Sequence, residues 1–138
     1  MSSVEVFPDG PSLATAVAAR LLTRLERAQL EGREPHLALT GGTIADAMHR
    51  ELARLSVGSD VDWRRVGIWW GDERFVAGDS PDRNAGQARR ALLDQVGTTQ
   101  VHEVPSTDDA PDVGSAARAY ADSLRAEGAG VFEVVMLG

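Results

Sequence analysis

Cysteine is absent from the 138 residues, which leaves no disulfide and no thiolate metal site and suits a reducing, cytoplasmic setting. No apolar run approaches the roughly 20 residues that span a bilayer, and the amino terminus lacks the basic-then-apolar order of a secretory signal. A basic stripe is missing as well: the formal charge is −7, with acidic residues spread along the whole chain. Neither nucleic acid nor membrane is therefore expected as a partner, because a binder of phosphate backbones normally clusters its Lys and Arg. A small anionic ligand stays open, since local arginines and backbone amides can outweigh a distant net charge. His36, His49 and His102 show no metal-type spacing, and each reads as an ordinary surface or partly buried residue more readily than as a catalytic base. Neither an internal repeat nor a low-complexity segment is found.

What is there is ordinary globular composition, 43% apolar and 25% charged, in a length that fits one domain. Short β-like runs alternate with longer helical ones. Residues 4–7 read as a first strand, closed by the turn Pro8-Asp9-Gly10-Pro11. Ser12 is the expected N-cap of a helix in which Leu13, Ala16, Val17, Leu21, Leu25 and Ala28 recur at helical spacing up to Gly32. Residues 36–39 form a short apolar run ending in Thr40-Gly41-Gly42-Thr43, after which Met48, Leu52 and Leu55 resume the helical period. Residues 66–70 are apolar at nearly every position, as in a strand covered on both faces, and polarity changes abruptly at Gly71-Asp72-Glu73-Arg74. Beyond them the pattern predicts a helix over 85–96, a strand over 101–104, a helix over 112–127 and a last, interior strand over 132–137. The fold class is α/β: a Rossmann-like, three-layer arrangement of a mostly parallel sheet with helices on both faces. Residues 1–138 read as a single domain. An apolar strand that stops at Gly138 without a covering helix makes the domain incomplete at its carboxyl end, so the missing remainder of the same protein is an expected partner.

Two segments fall where ligands bind in such sheets, at the carboxyl ends of strands. In Thr40-Gly41-Gly42-Thr43 the glycines let the backbone approach an anion, at least one of them either with positive φ or too close to the anion for a Cβ, and the following helix points unpaired N–H groups at the turn. The same residues also suit a tight strand-to-helix connection with no ligand. In Gly71-Asp72-Glu73-Arg74, Arg74 is suited to pair a phosphate or carboxylate oxygen in a fork, while Asp72 and Glu73 fix hydroxyls or orient other side chains. The alternative there is a solvated loop with a local ion pair. Trp63, Trp69 and Trp70 read as core, and Arg89-Arg90 as a solvated helix face.

Taken together, Thr40-Gly41-Gly42-Thr43, then Trp69-Trp70-Gly71-Asp72-Glu73-Arg74-Phe75-Val76, then Ser80-Pro81-Asp82-Arg83-Asn84 resemble the 6-phosphogluconolactonase branch of the glucosamine-6-phosphate isomerase/6-phosphogluconolactonase family. The resemblance runs from about Val4 to Gly138. Arg74 favours this branch over the deaminases, where a tyrosine usually stands. It implies hydrolysis of 6-phosphoglucono-δ-lactone to 6-phosphogluconate in the oxidative pentose phosphate pathway, with no metal or organic cofactor. Carried over by position, Thr40, Gly41, Gly42 and Thr43 match the phosphate-cradling turn, Asp72 and Arg74 the polar cluster of the substrate pocket, and Asn84 the asparagine of that helix start.

Two departures stand out. Ile44 and Ala45 replace the last two places of the family's Ser-Gly-Gly-Ser-Thr-Pro, so one hydroxyl donor is missing. The family's catalytic histidine lies in a Gly-Asp-Gly-His-type segment that would follow Gly138, so no residue of this chain is assigned as the catalytic base. The other readings are a sugar-phosphate isomerase or deaminase of the same superfamily, and a non-catalytic phosphosugar-binding protein.

Overall fold

A computed structural model describes residues 2–128 and 130–138. Helix α1 (Gly10–Leu30) is capped by Asp9, whose carboxylate accepts the Ser12 N–H at 2.7 Å, with Pro11 in the first turn. The expected cap at Ser12 is thus displaced three residues. A carboxylate at Asp9 satisfies an orphan amide, and Pro11 has no amide to leave orphaned. The helix buries Ala14, Ala18, Leu21, Leu22, Leu25 and Ala28, a spacing that keeps one face on the core.

Strand β1 (His36–Leu39) is buried at all four positions and leads into α2 (Thr43–Ser56). A single 3₁₀ turn at Trp63–Arg65 precedes β2 (Gly67–Trp70), also buried throughout. The helix expected over 85–96 is instead α3 (Asn84–Ala88), a π turn at Arg89–Leu93 and α4 (Asp94–Val96). The wider π turn carries three consecutive buried residues, Ala91, Leu92 and Leu93, where a regular helix would direct them around its circumference. Strand β3 (Gln100–Val101), α5 (Val113–Glu127) with Asp112 as its cap, and β4 (Val134–Val135) complete the order.

All strand pairs are parallel, in the order β3-β2-β1-β4. Side chains alternate across a sheet, so Leu37, Leu39, Ile68 and Trp70 join the core formed with α1, α2 and α3. Trp69 points to the other face, where its ring meets Tyr120 of α5 edge-on, centroids 5.8 Å apart. Both tryptophans are fully packed, one on each face, and Trp63 is buried as well.

Two strand expectations do not hold. Residues 4–7 pair with no strand among the described residues, and Val4 and Val6 are each 90% exposed. A pattern of alternating apolar residues becomes a strand only when a neighbour takes its N–H and C=O groups. The last strand is not interior. Hydrogen bonds from Glu133 N–H to His36 C=O (2.8 Å) and from Met136 N–H to Ala38 C=O (2.9 Å) extend its ladder, yet Val135 is 50% and Leu137 88% exposed. Among the described residues β4 is an edge strand. No helix of the described residues is long and apolar enough to cross a membrane.

From β1 the chain steps to β2 and β3 on one side, then places β4 on the other. The connection leaving β1 therefore turns away from β4, and a crevice opens between the carboxyl ends of the two strands.

Candidate functional site

The turn after β1 depends on its two glycines for different reasons. Gly42 has φ +102°, a region that strains any residue with a Cβ. Gly41 lies so close to Asn84 that a Cβ would stand 1.9 Å from Asn84 Oδ1. Positive φ at one of the pair is one of the two alternatives the sequence predicts; the contact with α3 is not visible there. Gly42 is the N-cap of α2 and supplies no side-chain cap, so the first amides of a 14-residue helix face the turn without one.

The second wall is built on Glu73. Its side chain is 1% exposed and accepts the backbone N–H groups of Arg74 (2.9 Å), Asn84 (2.7 Å) and Ala85 (2.9 Å). It thereby ties the loop after β2 to the first turn of α3, as a carboxylate at a helix N-terminus does. Arg83, 4% exposed at its side chain, lies 3.8 Å from Glu73 and donates to the carbonyls of Arg74 (3.3 Å) and Val104 (2.7 Å). Asn84, held by this pair, donates its amide to Asp72 C=O at 3.1 Å and accepts from Arg74 Nη1 at 3.0 Å. The Thr40 hydroxyl donates to Asp72 Oδ1 at 3.3 Å, linking the two walls. Glu73 is therefore an orienting group sealed from the cleft.

The result is a cleft of about 660 Å³ that gathers Thr40, Gly41, Gly42, Asp72, Arg74 and Asn84 with Gln87, and is closed on the β4 side by Met136, Leu137 and Gly138. Thr43 opens α2 just outside it and lines an adjoining apolar groove of about 630 Å³ between α1 and β4. All seven residues singled out from the sequence thus stand at this one sheet end. Gln87, Glu73 as a cap, and Arg83 were not assigned there. Gln87 carries no local signal, because a polar residue inside a helix reads as a solvated face. Among the described residues Arg74 pairs with no carboxylate; its hydrogen-bond partners are the oxygens of Asn84 and Asp82. A guanidinium held by neutral acceptors at an open cleft keeps its charge available to an anion.

The histidines lie elsewhere. His36 opens β1, about 13 Å from the turn that follows the strand, at 3.3 Å per residue. Its Nδ1 accepts the Trp69 indole N–H at 2.8 Å. His102 stacks on Trp69 with centroids 3.9 Å apart. His49 is wholly buried in α2 with neither ring nitrogen hydrogen-bonded, and burial lowers its pKa to about 4.

A parallel sheet that reverses its order beside β1, with a glycine turn and a polar cluster at the reversal, places the chain among the doubly wound α/β proteins that open a cleft at a switch point. The family described as glucosamine-6-phosphate isomerases/6-phosphogluconolactonase matches residues 8–138, and the chain belongs to it. It is 39% identical over 123 residues to the 6-phosphogluconolactonase of Streptomyces coelicolor, covering 86% of this chain and 47% of that protein. With the 6-phosphogluconolactonase of Mycobacterium leprae the identity is 38% over 129 residues, 91% of this chain and 51% of that one. The chain spans about half the length of these curated relatives. Its fold matches the 6-phosphogluconolactonase of Trypanosoma cruzi with a TM-score of 0.79 at 21% identity, over 98% of this chain and 57% of that one. A monomeric glucosamine-6-phosphate deaminase shares the fold with a TM-score of 0.75 at 17% identity, over 92% and 52% of the two chains.

Proposed function

We propose that this chain is part of a 6-phosphogluconolactonase, which hydrolyses 6-phospho-D-glucono-1,5-lactone to 6-phospho-D-gluconate in the oxidative pentose phosphate pathway of the cytoplasm. The observation that carries the reading is Arg74, a cation without a carboxylate partner among the described residues, opening on the cleft of a chain with net charge −7. In this reading Arg74 and the turn from Thr40 to Thr43 hold the anionic end of the substrate. Asp72 accepts from a sugar hydroxyl, and Asn84 keeps Arg74 aimed. The reaction needs no metal or organic cofactor. Water adds to the lactone carbonyl, the ring C–O bond breaks, and the departing alkoxide takes up a proton as the carboxylate forms.

That addition requires a general base, a role typically worth 10²–10⁴-fold. None of the three histidines reaches the cleft. We assign the base to a histidine beyond Gly138. Gly138 lies against Thr40, since a Cβ there would stand 3.1 Å from Thr40 Oγ1, so residues continuing from it would enter the cleft. Residues 1–138 then form one α/β unit completed by the rest of the same polypeptide, with neither nucleic acid nor membrane as partner.

The test is a lactone-hydrolysis assay on the full-length protein beside the 138-residue chain, with mass spectrometry fixing where each ends. Hydrolysis is expected from the first, and none above buffer from the second. Activity from a chain verified to end at Gly138 overturns the base assignment. Turnover of glucosamine 6-phosphate in place of the lactone moves the protein to the deaminase branch.

A further inference from the structure

One polar side chain of the cleft has no part in the scheme so far. Gln87 stands on α3 one turn beyond Asn84, half-buried in the cleft wall. Its Oε1 accepts the Gly42 N–H at 3.4 Å, long for an N–H···O bond. Gly42 is the N-cap of α2, so its amide is one that the helix itself leaves unpaired. Arg74 and Asn84 line the same cleft, so Gln87 shares it with a guanidinium that pairs with no carboxylate among the described residues.

We propose that Gln87 is a substrate-binding residue that stands in for the phosphoryl group of the ligand, an inference that rests on the phosphosugar reading of this site. With the cleft empty, the Gln87 carbonyl occupies the Gly42 N–H. On binding, a phosphoryl oxygen takes that N–H, and the Gln87 amide turns over so that its NH₂ donates to the same group. A primary amide carries acceptor and donors on one terminal carbon. The torsion that exchanges them is broad and two-fold, so the turnover meets little resistance. The long bond to Gly42 is readily surrendered. A carboxylate at this position would hold the N–H more firmly and repel the phosphoryl dianion; an apolar side chain would free the N–H but offer no donor.

The experiment uses the full-length protein with Gln87→Glu, Gln87→Leu and, as a reference, Arg74→Ala. Inorganic phosphate is the probe, titrated by calorimetry. Gln87→Glu is expected to weaken phosphate binding about tenfold or more through like-charge repulsion, and Gln87→Leu about three- to tenfold through one lost hydrogen bond. With the phosphorylated lactone, Gln87→Leu should raise KM and leave kcat near that of the parent, the signature of lost uniform binding. With the same lactone lacking its phosphoryl group, kcat/KM should not change. A merely structural role would lower kcat/KM for both lactones alike, and that result overturns the proposal. If Arg74→Ala weakens phosphate binding while both Gln87 variants bind as the parent does, the proposal falls and the phosphosugar reading stands. If Arg74→Ala also binds phosphate normally, the two fall together.

Discussion

The two sides of the cleft are made differently. On the β2–α3 side nearly every polar group is engaged: Glu73 takes three backbone amides, Arg83 donates to two carbonyls, and Asn84 bridges Asp72 and Arg74. On the β4 side the ladder ends at Met136, and Val135 and Leu137 expose apolar surface. The first side is organised by contacts within these residues. The second has its backbone placed by β1 while Val135 and Leu137 stay exposed among the described residues.

The largest test strikes the organised side. Glu73→Ala leaves the buried Arg83 charge uncompensated and three amides without their acceptor, and should destabilise the chain by about 3–5 kcal/mol. The midpoint of urea unfolding reads this directly, and a loss below about 1 kcal/mol would mean that the wall stands without its carboxylate.

A second test exploits the internal weak point in α2, the helix against which the π turn packs. His49 has its pKa lowered from 6.5 to about 4, chiefly by burial, with Asp46 opposing. Above about pH 6.5 both folded and unfolded chains carry the neutral ring, and stability does not depend on this group. Between 6.5 and 4 the unfolded chain takes up a proton that the folded chain refuses, so stability falls as pH falls, by up to about 3 kcal/mol. Unfolding midpoints at pH 7.5 and 4.5 should separate accordingly, and His49→Leu should narrow the gap.

Arg74→Ala separates function from stability on the same wall. In the full-length protein it should weaken substrate binding by about 1.5–3 kcal/mol, the worth of a hydrogen bond to a charged group. The unfolding midpoint should shift by less than the equivalent of about 0.5 kcal/mol, as for an exposed site. Unchanged KM and kcat would remove Arg74 from the site. Gly42→Ala should cost about 1–2 kcal/mol for its left-handed backbone, again by denaturant titration. Smallest of all, Leu137→Ser should change the stability of the 138-residue chain by no more than about 0.5 kcal/mol. If the exposed side is completed by further chain, the same substitution should cost about 2 kcal/mol or more in the full-length protein, as for a buried leucine. Equal effects in the two would erase the contrast between the sides.

Much of this site is legible in order of residues. Thr40-Gly41-Gly42-Thr43 and the Asp72–Arg74 cluster declare themselves because an apolar run stops and a turn or a set of charges begins, and both lie at strand ends as expected. The capping role of Glu73 and the place of Gln87 in the cleft were missed for one reason. The amides Glu73 caps lie up to 12 positions away and the N–H that Gln87 accepts lies 45 away, and a backbone N–H is the same at every non-proline residue, so no residue type marks the partner. Residues 4–7 illustrate the reverse error: their β-like pattern is real, but no partner strand meets it among the described residues.

The sequence by itself determined α1, α2 and α5, the glycine turn, the buried β1 and β2 and the family, because helical periodicity, apolar runs and motif strings are local. Only the tertiary structure decided that β4 lies beside β1 and not beyond β3, which brings Gly138 against Thr40 and makes one cleft of two separate turns. The place of β4 is set by pairings between residues about a hundred positions apart, such as Leu37 with Val134, and the free energy of such a contact depends on everything that packs around it.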